Sequence, residues 1–183
     1  MILWSSNELI DDDLIKSMVL ELKSHPLCYE EKANYYSSYY TPPNERPEKK
    51  LKKFYDSIVN QATKYLTLYN RFEFDNYFWM QLYTKNGGTM DEPHHHYHPT
   101  TIFSWVHFIR PTKNKCFYFI NHLNEKTYPQ QQNKGDFILF PSYLLHAVEV
   151  NTSDEDRVIT AGNIITKNLT NKFLKVFNGS QIN

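Results

Sequence analysis

The chain has 183 residues, 40% hydrophobic and 22% charged, with 20 basic and 20 acidic side chains. That length leaves room for one real core, and zero net charge removes the electrostatic case for non-specific nucleic-acid binding. No stretch approaches the ~20 apolar residues of a membrane span, and Met1 is followed by no apolar leader. The two cysteines, Cys28 and Cys116, make neither a disulfide framework nor a zinc spacing. A soluble cytoplasmic protein with reduced thiols is expected, in the cytoplasm of a host if the chain is viral.

The first third reads as helical. Ser5 and Glu8 have capping-box spacing, Asp11, Asp12 and Asp13 suit a helix start, and Leu14, Ile15, Met18, Val19 and Leu22 recur at helical spacing until His25-Pro26. Residues 28 to 46 read as irregular. Pro47 can open a second helix, whose apolar stripe runs through Leu51, Phe54, Tyr55, Ile58, Val59, Ala62, Tyr65 and Leu66. The basic run at residues 49 to 53 reads as a solvated face. From about residue 72 the pattern shifts to short β-rich runs: Phe74–Thr84, Thr100–Ile109, Cys116–Ile120, Gly135–Phe140, Ala147–Val150 and Arg157–Thr166, with Phe173–Phe177 as a last strand. The expected fold is mostly β with N-terminal helices. It is a jelly roll or cupin-like barrel with helices on one face, in a single domain: residues 1–70 as helical support, 71–178 as core.

Four of the eight histidines fall at positions 94, 95, 96 and 98, bracketed by Pro93 and Pro99. Histidines at i and i+2 on an extended segment share a face, so His96 and His98 form one candidate metal pair and His94 and His96 another. His146 follows a glycine-led apolar strand broken at Pro141, which places it at a barrel mouth. Three imidazoles would leave coordination positions open, as non-haem Fe(II) oxygen chemistry requires. Eleven residues beyond His146 stands Arg157, at the start of a buried-strand pattern. A buried arginine needs a partner, and the far carboxylate of a dicarboxylic co-substrate can supply a two-pronged one. The expected ligands are His96, His98 and His146 around Fe(II), with Arg157 holding 2-oxoglutarate. Gln81, Tyr83 and Tyr118 lie on strands that can add hydrogen bonds to that co-substrate. Trp105 and His107, alternating with Phe103, either line the substrate pocket or fill the core.

The stretch from Trp79 to Asn163 resembles a family of 2OG-Fe(II) oxygenases typified by phage and marine-bacterial proteins. The resemblance rests on Trp79, His96-Tyr97-His98-Pro99, Gly135-Asp136, Phe140-Pro141-Ser142, His146, the acidic turn Asp154-Glu155-Asp156, Arg157, and Asn163 six residues on. It covers a little under half the chain. It implies a double-stranded β-helix, Fe(II), 2-oxoglutarate and O2 as partners of an unidentified substrate, and a co-substrate site that includes Arg157 and Asn163. The chain departs from the usual pattern: position 98 is His where a carboxylate is customary, and Ile159 stands where a serine is frequent. Two other readings are a three-His cupin metalloenzyme that does not use 2-oxoglutarate, and a non-catalytic metal-binding jelly-roll module.

Overall fold

The computed structural model describes residues 2–66, 73–88 and 93–167. Its elements are β1 (Trp4–Asn7), α1 (Asp12–Ser24), β2 (Tyr29–Glu30), β3 (Tyr35–Ser37), α2 (Lys52–Tyr65), β4 (Phe74–Tyr83), β5 (Thr101–Arg110), β6 (Phe117–Ile120), β7 (Lys126–Thr127), β8 (Asp136–Pro141), β9 (His146–Val148) and β10 (Arg157–Thr166). The expected strand at Phe173–Phe177 lies outside the described residues.

Helix α1 starts where its side chains can cap it. The Asp11 carboxylate accepts from the backbone N–H groups of Asp13 and Leu14, both at 3.0 Å, and Asp12 and Asp13 face the positive end of the helix dipole. His25, extended before Pro26, ends it. A 3-10 turn over Pro47–Leu51 leads into α2. The capping box expected at Ser5 does not form. Those residues are β1, which pairs along β8 from Trp4–Leu139 to Asn7–Asp136. Backbone pairing to an apolar strand outcompetes a local cap that has no helix to extend.

The strands form two antiparallel sheets, one of seven strands in the order β1-β8-β5-β10-β4-β3-β2 and one of three, β7-β6-β9. Successive side chains of a strand point to opposite faces, and the larger sheet uses both. Phe78, Met80, Leu82, Trp105, Phe137, Leu139, Val158 and Ile164 pack on Ile15, Met18, Leu22, Tyr55, Ile58 and Ala62 of the helices. The alternate residues Trp79, Tyr83, Val106, Phe108, Ile138, Phe140, Ile159 and Ala161 face Phe117, Phe119 and Val148 of the smaller sheet. The result is a jelly roll with both helices on its outer face and a second core inside.

Trp105 and His107 belong to the outer layer. Trp105 packs on Tyr55 at 4.8 Å and His107 Nδ1 lies 3.0 Å from the Tyr55 hydroxyl. They fill the core between helix and sheet and line no site. Gly162 stands opposite Trp105 across the β5–β10 pair; a Cβ there would come within 2.4 Å of the indole ring.

Candidate metal centre

The histidine run is sorted by its backbone. His94 forms an antiparallel bridge with His146, each N–H donating to the other's carbonyl at 2.9 Å, and the His96 N–H donates to the Ser142 carbonyl at 2.9 Å. The segment thus lies beside β9 as a short extra strand, with His94 and His96 turned inward and His95 and Tyr97 outward. Ring centroids are 4.5 Å apart for His94 and His146, 5.1 Å for His96 and His146, and 5.0 Å for His94 and His96. One nitrogen from each of the three lies within 4.8 Å of the others.

His98 is elsewhere. It is exposed, with Nδ1 at 2.8 Å from the Thr100 hydroxyl, in a bridge to Thr101. The pair that joins His146 is therefore His94 and His96, not His96 and His98. Both pairs have the same spacing; the bridge to His146 fixes which one arrives.

The three imidazoles suit a metal. His146 Nδ1 lies 2.8 Å from the Leu144 carbonyl. A carbonyl only accepts, so Nδ1 carries the proton and Nε2 keeps its lone pair for the cavity. Burial, followed by repulsion from neighbouring histidines, lowers the pKa of His96 to about 4 and that of His146 to about 3. Both are neutral donors at pH 7. His94 and His96 are half-buried and His146 is buried. Among the described residues no carboxylate joins the group. A metal–nitrogen bond of roughly 2.1 Å draws donors to within about 4 Å of one another, so small ring rotations complete the site.

The triad opens on a cavity of about 50 Å³, lined among others by Trp79, Gln81, Tyr83, Phe117, Val148 and Ile159. The Trp79 ring lies 5.7 Å from that of His96; its place at this wall could be read in the sequence only as part of a resemblance. Tyr83 donates to Gln81 Oε1 at 3.0 Å. Burial raises the Tyr83 pKa, so its hydroxyl stays a donor. The ring is fixed by stacking on Tyr35 at 5.4 Å and by Gly88, whose positive φ brings bare backbone against it.

Arg157 is 1% exposed. It pairs across the ladder with Tyr83, and its guanidinium carbon lies 4.5 Å from the centre of that ring. One terminal nitrogen donates to the Glu149 carbonyl at 2.7 Å, while its buried Nε has no hydrogen-bond partner among the described residues. It borders a second, larger cavity of about 690 Å³ and is absent from the lining of the triad's own.

Two other expected residues lie away from this arrangement. Tyr118 sits between Phe117 and Phe119 on β6, which both turn inward, so its own ring turns outward onto Tyr128 and Lys126. Asn163 shares the inner face of β10 with Arg157 but six residues along, roughly 20 Å at strand rise. There its Oδ1 accepts from the Ser104 hydroxyl at 2.8 Å.

No family model and no curated protein matches the chain. Solved structures do. A Pseudomonas putida prolyl-4-hydroxylase aligns with 88% of this chain and 91% of its own at a TM-score of 0.60 and 12% identity. A 2OG-Fe(II) oxygenase family oxidoreductase from Burkholderia pseudomallei aligns over 85% and 79% at 0.58 and 14%. The non-haem alpha-ketoglutarate-dependent epimerase SnoN of nogalamycin biosynthesis aligns over 88% and 76% at 0.59 and 11%. The chain has the fold of these oxygenases. Among its described residues, no helix is long and apolar enough to cross a membrane.

Proposed function

We propose that the chain is an Fe(II)- and 2-oxoglutarate-dependent dioxygenase. One observation carries the reading. Three imidazoles converge inside an oxygenase-type jelly roll, and the same interior continues along β10 to a buried arginine. In this reading His94, His96 and His146 hold the metal and leave positions open for a keto acid and O2. When bound, the metal and 2-oxoglutarate would activate O2, the oxidant for hydroxylation: one oxygen atom would go to succinate as CO2 is released and the other to the substrate.

The chain's own residues bind, orient and keep water out. Arg157 takes the distal carboxylate, replacing the contact its Nε lacks. In this reading Tyr83, which stays protonated beside it, donates to the same carboxylate. A cavity of 50 Å³ holds a few waters at most, so the Tyr83–Gln81 hydrogen bond opens when the co-substrate binds. Trp79, Phe117, Val148 and Ile159 form the apolar wall. Because one fold carries both a prolyl hydroxylase and an epimerase, substrate choice belongs to side chains at the mouth. The reading includes a reducing compartment, in keeping with two buried free thiols, Cys28 and Cys116.

Anaerobic addition of Fe(II), then 2-oxoglutarate, tests it. The expected result is a visible charge-transfer band that requires His146. In Arg157→Ala, half-saturation needs roughly 10- to 100-fold more co-substrate, the worth of a charge-assisted pair. Iron binding with no band at saturating 2-oxoglutarate would sink the proposal. It would favour a three-His cupin metalloenzyme.

A further inference from the structure

We infer that the 690 Å³ cavity beyond Arg157 is a carboxylate-binding vestibule, through which the co-substrate reaches the metal centre from the end of the barrel opposite the histidine mouth. The inference rests on the co-substrate reading above.

Three strands give the same order from the triad outward. On β9 and beyond, His146 and Val148 line the small cavity, and Glu149 and Val150 the large one. On β6 and the residues before it, Phe117 lines the small cavity and Cys116 the large one. On β10, Ala161 and Ile159 line the small cavity and Arg157 the large one. Arg157 therefore stands as the partition, and it borders the large space. An anion in the large cavity meets a buried guanidinium with an orphan Nε directly. An anion coming past the histidines has to cross the metal site and break the Tyr83–Gln81 hydrogen bond before it reaches Arg157.

The charges of the vestibule suit an anion. Lys113 and Lys115 line it and form no ion pair among the described residues. Two of its three acids are neutralised: Glu149 by Lys126 at 2.8 Å, and Asp154 by Lys85. Glu155 has no such cation among the described residues. A small dicarboxylate is the class of ligand that fits, because one carboxylate can stay on Arg157 while the rest of the molecule passes through.

The test blocks the vestibule without touching the triad or Arg157. Asn114 and Thr152 are exposed residues on its rim. Asn114→Trp and Thr152→Trp are made separately, so that one misfolded variant does not end the experiment. Association of 2-oxoglutarate with anaerobic Fe(II)-loaded protein is followed by stopped flow. We expect association and dissociation both to slow by about tenfold, with Kd within about threefold of wild type, since a blocked route changes rates and not the bound state. Lys113→Glu should slow association alone, and more so at low salt. Wild-type rates in both tryptophan variants would overturn the vestibule and put co-substrate access at the histidine mouth. Failure of the wild type to bind 2-oxoglutarate would overturn the co-substrate reading, and the vestibule with it.

Discussion

His94 and His98 differ in their backbone pairing: of the two, only His94 bridges His146. In the metal reading, Co(II) titration should show a loss of at least about 100-fold in affinity for His94→Ala or His146→Ala, and a change of no more than a few-fold for His98→Ala. Strong loss in His98→Ala with retention in His94→Ala would reverse the assignment. The sequence shows why this was hard to read. Two overlapping pairs share His96 and the same i, i+2 spacing, and nothing local says which partner bridges a strand fifty residues away. Tyr118 presents the same difficulty. Phe117, Tyr118 and Phe119 are three aromatics in succession, so alternation carries no parity signal, and only pairing with β9 turns Tyr118 outward. The buried positions of His146 and Arg157 were legible because a broken strand and a lone arginine before an apolar run are unusual in themselves.

At the scale of elements, the seam between β10 and β5 leaves no room for a side chain at Gly162. Gly162→Ala should cost about 1–3 kcal/mol, the usual range for overpacking a core, because the Trp105 ring is held by Tyr55 and Phe137 and cannot retreat. Urea denaturation checks it; an unchanged midpoint would mean that the indole shifts freely. Asp11→Ala removes two capping acceptances and should cost about 1 kcal/mol, with the spectrum of the folded state unchanged. The long strands were legible within a residue or two, since ten-residue runs such as Phe74–Tyr83 carry enough β-rich pattern. β2, β3 and β7, of two or three residues each, were not. A strand that short has no periodicity, and its existence depends on the neighbour it meets. β1 was misread because its serines suit a cap as well as an edge.

For the whole molecule, buried imidazoles set the response to acid. His107 sits in the outer core with Nε2 at 2.8 Å from the Glu8 carbonyl and Nδ1 facing the Tyr55 hydroxyl. Burial lowers its pKa from 6.5 to about 4, against the opposing pull of the Glu8 and Gly135 backbone and of Asp136. A base with a lowered folded pKa binds fewer protons than its unfolded counterpart between those values. Its stabilising effect is thus whole above pH 6.5 and is lost as pH falls towards 4. Metal-free protein, with His96 and His146 adding in the same direction, should melt progressively lower over that window. His107→Gln should flatten the dependence; a slope equal to wild type would count against it. The architecture as a whole was legible from two helices followed by many short strands. The division of Arg157 from the triad's own cavity was not, because it depends on how three strands end together. The pairing of β1 along β8 carries a practical consequence. Trp4–Asn7 covers Asp136–Leu139, which includes the apolar run Phe137–Leu139. Strip those first residues away and β8 becomes a bare sheet margin, a template for another copy to add to. A shortened chain would be expected to aggregate before its chemistry could be judged, and a bulky fusion at Met1 would strain the same margin.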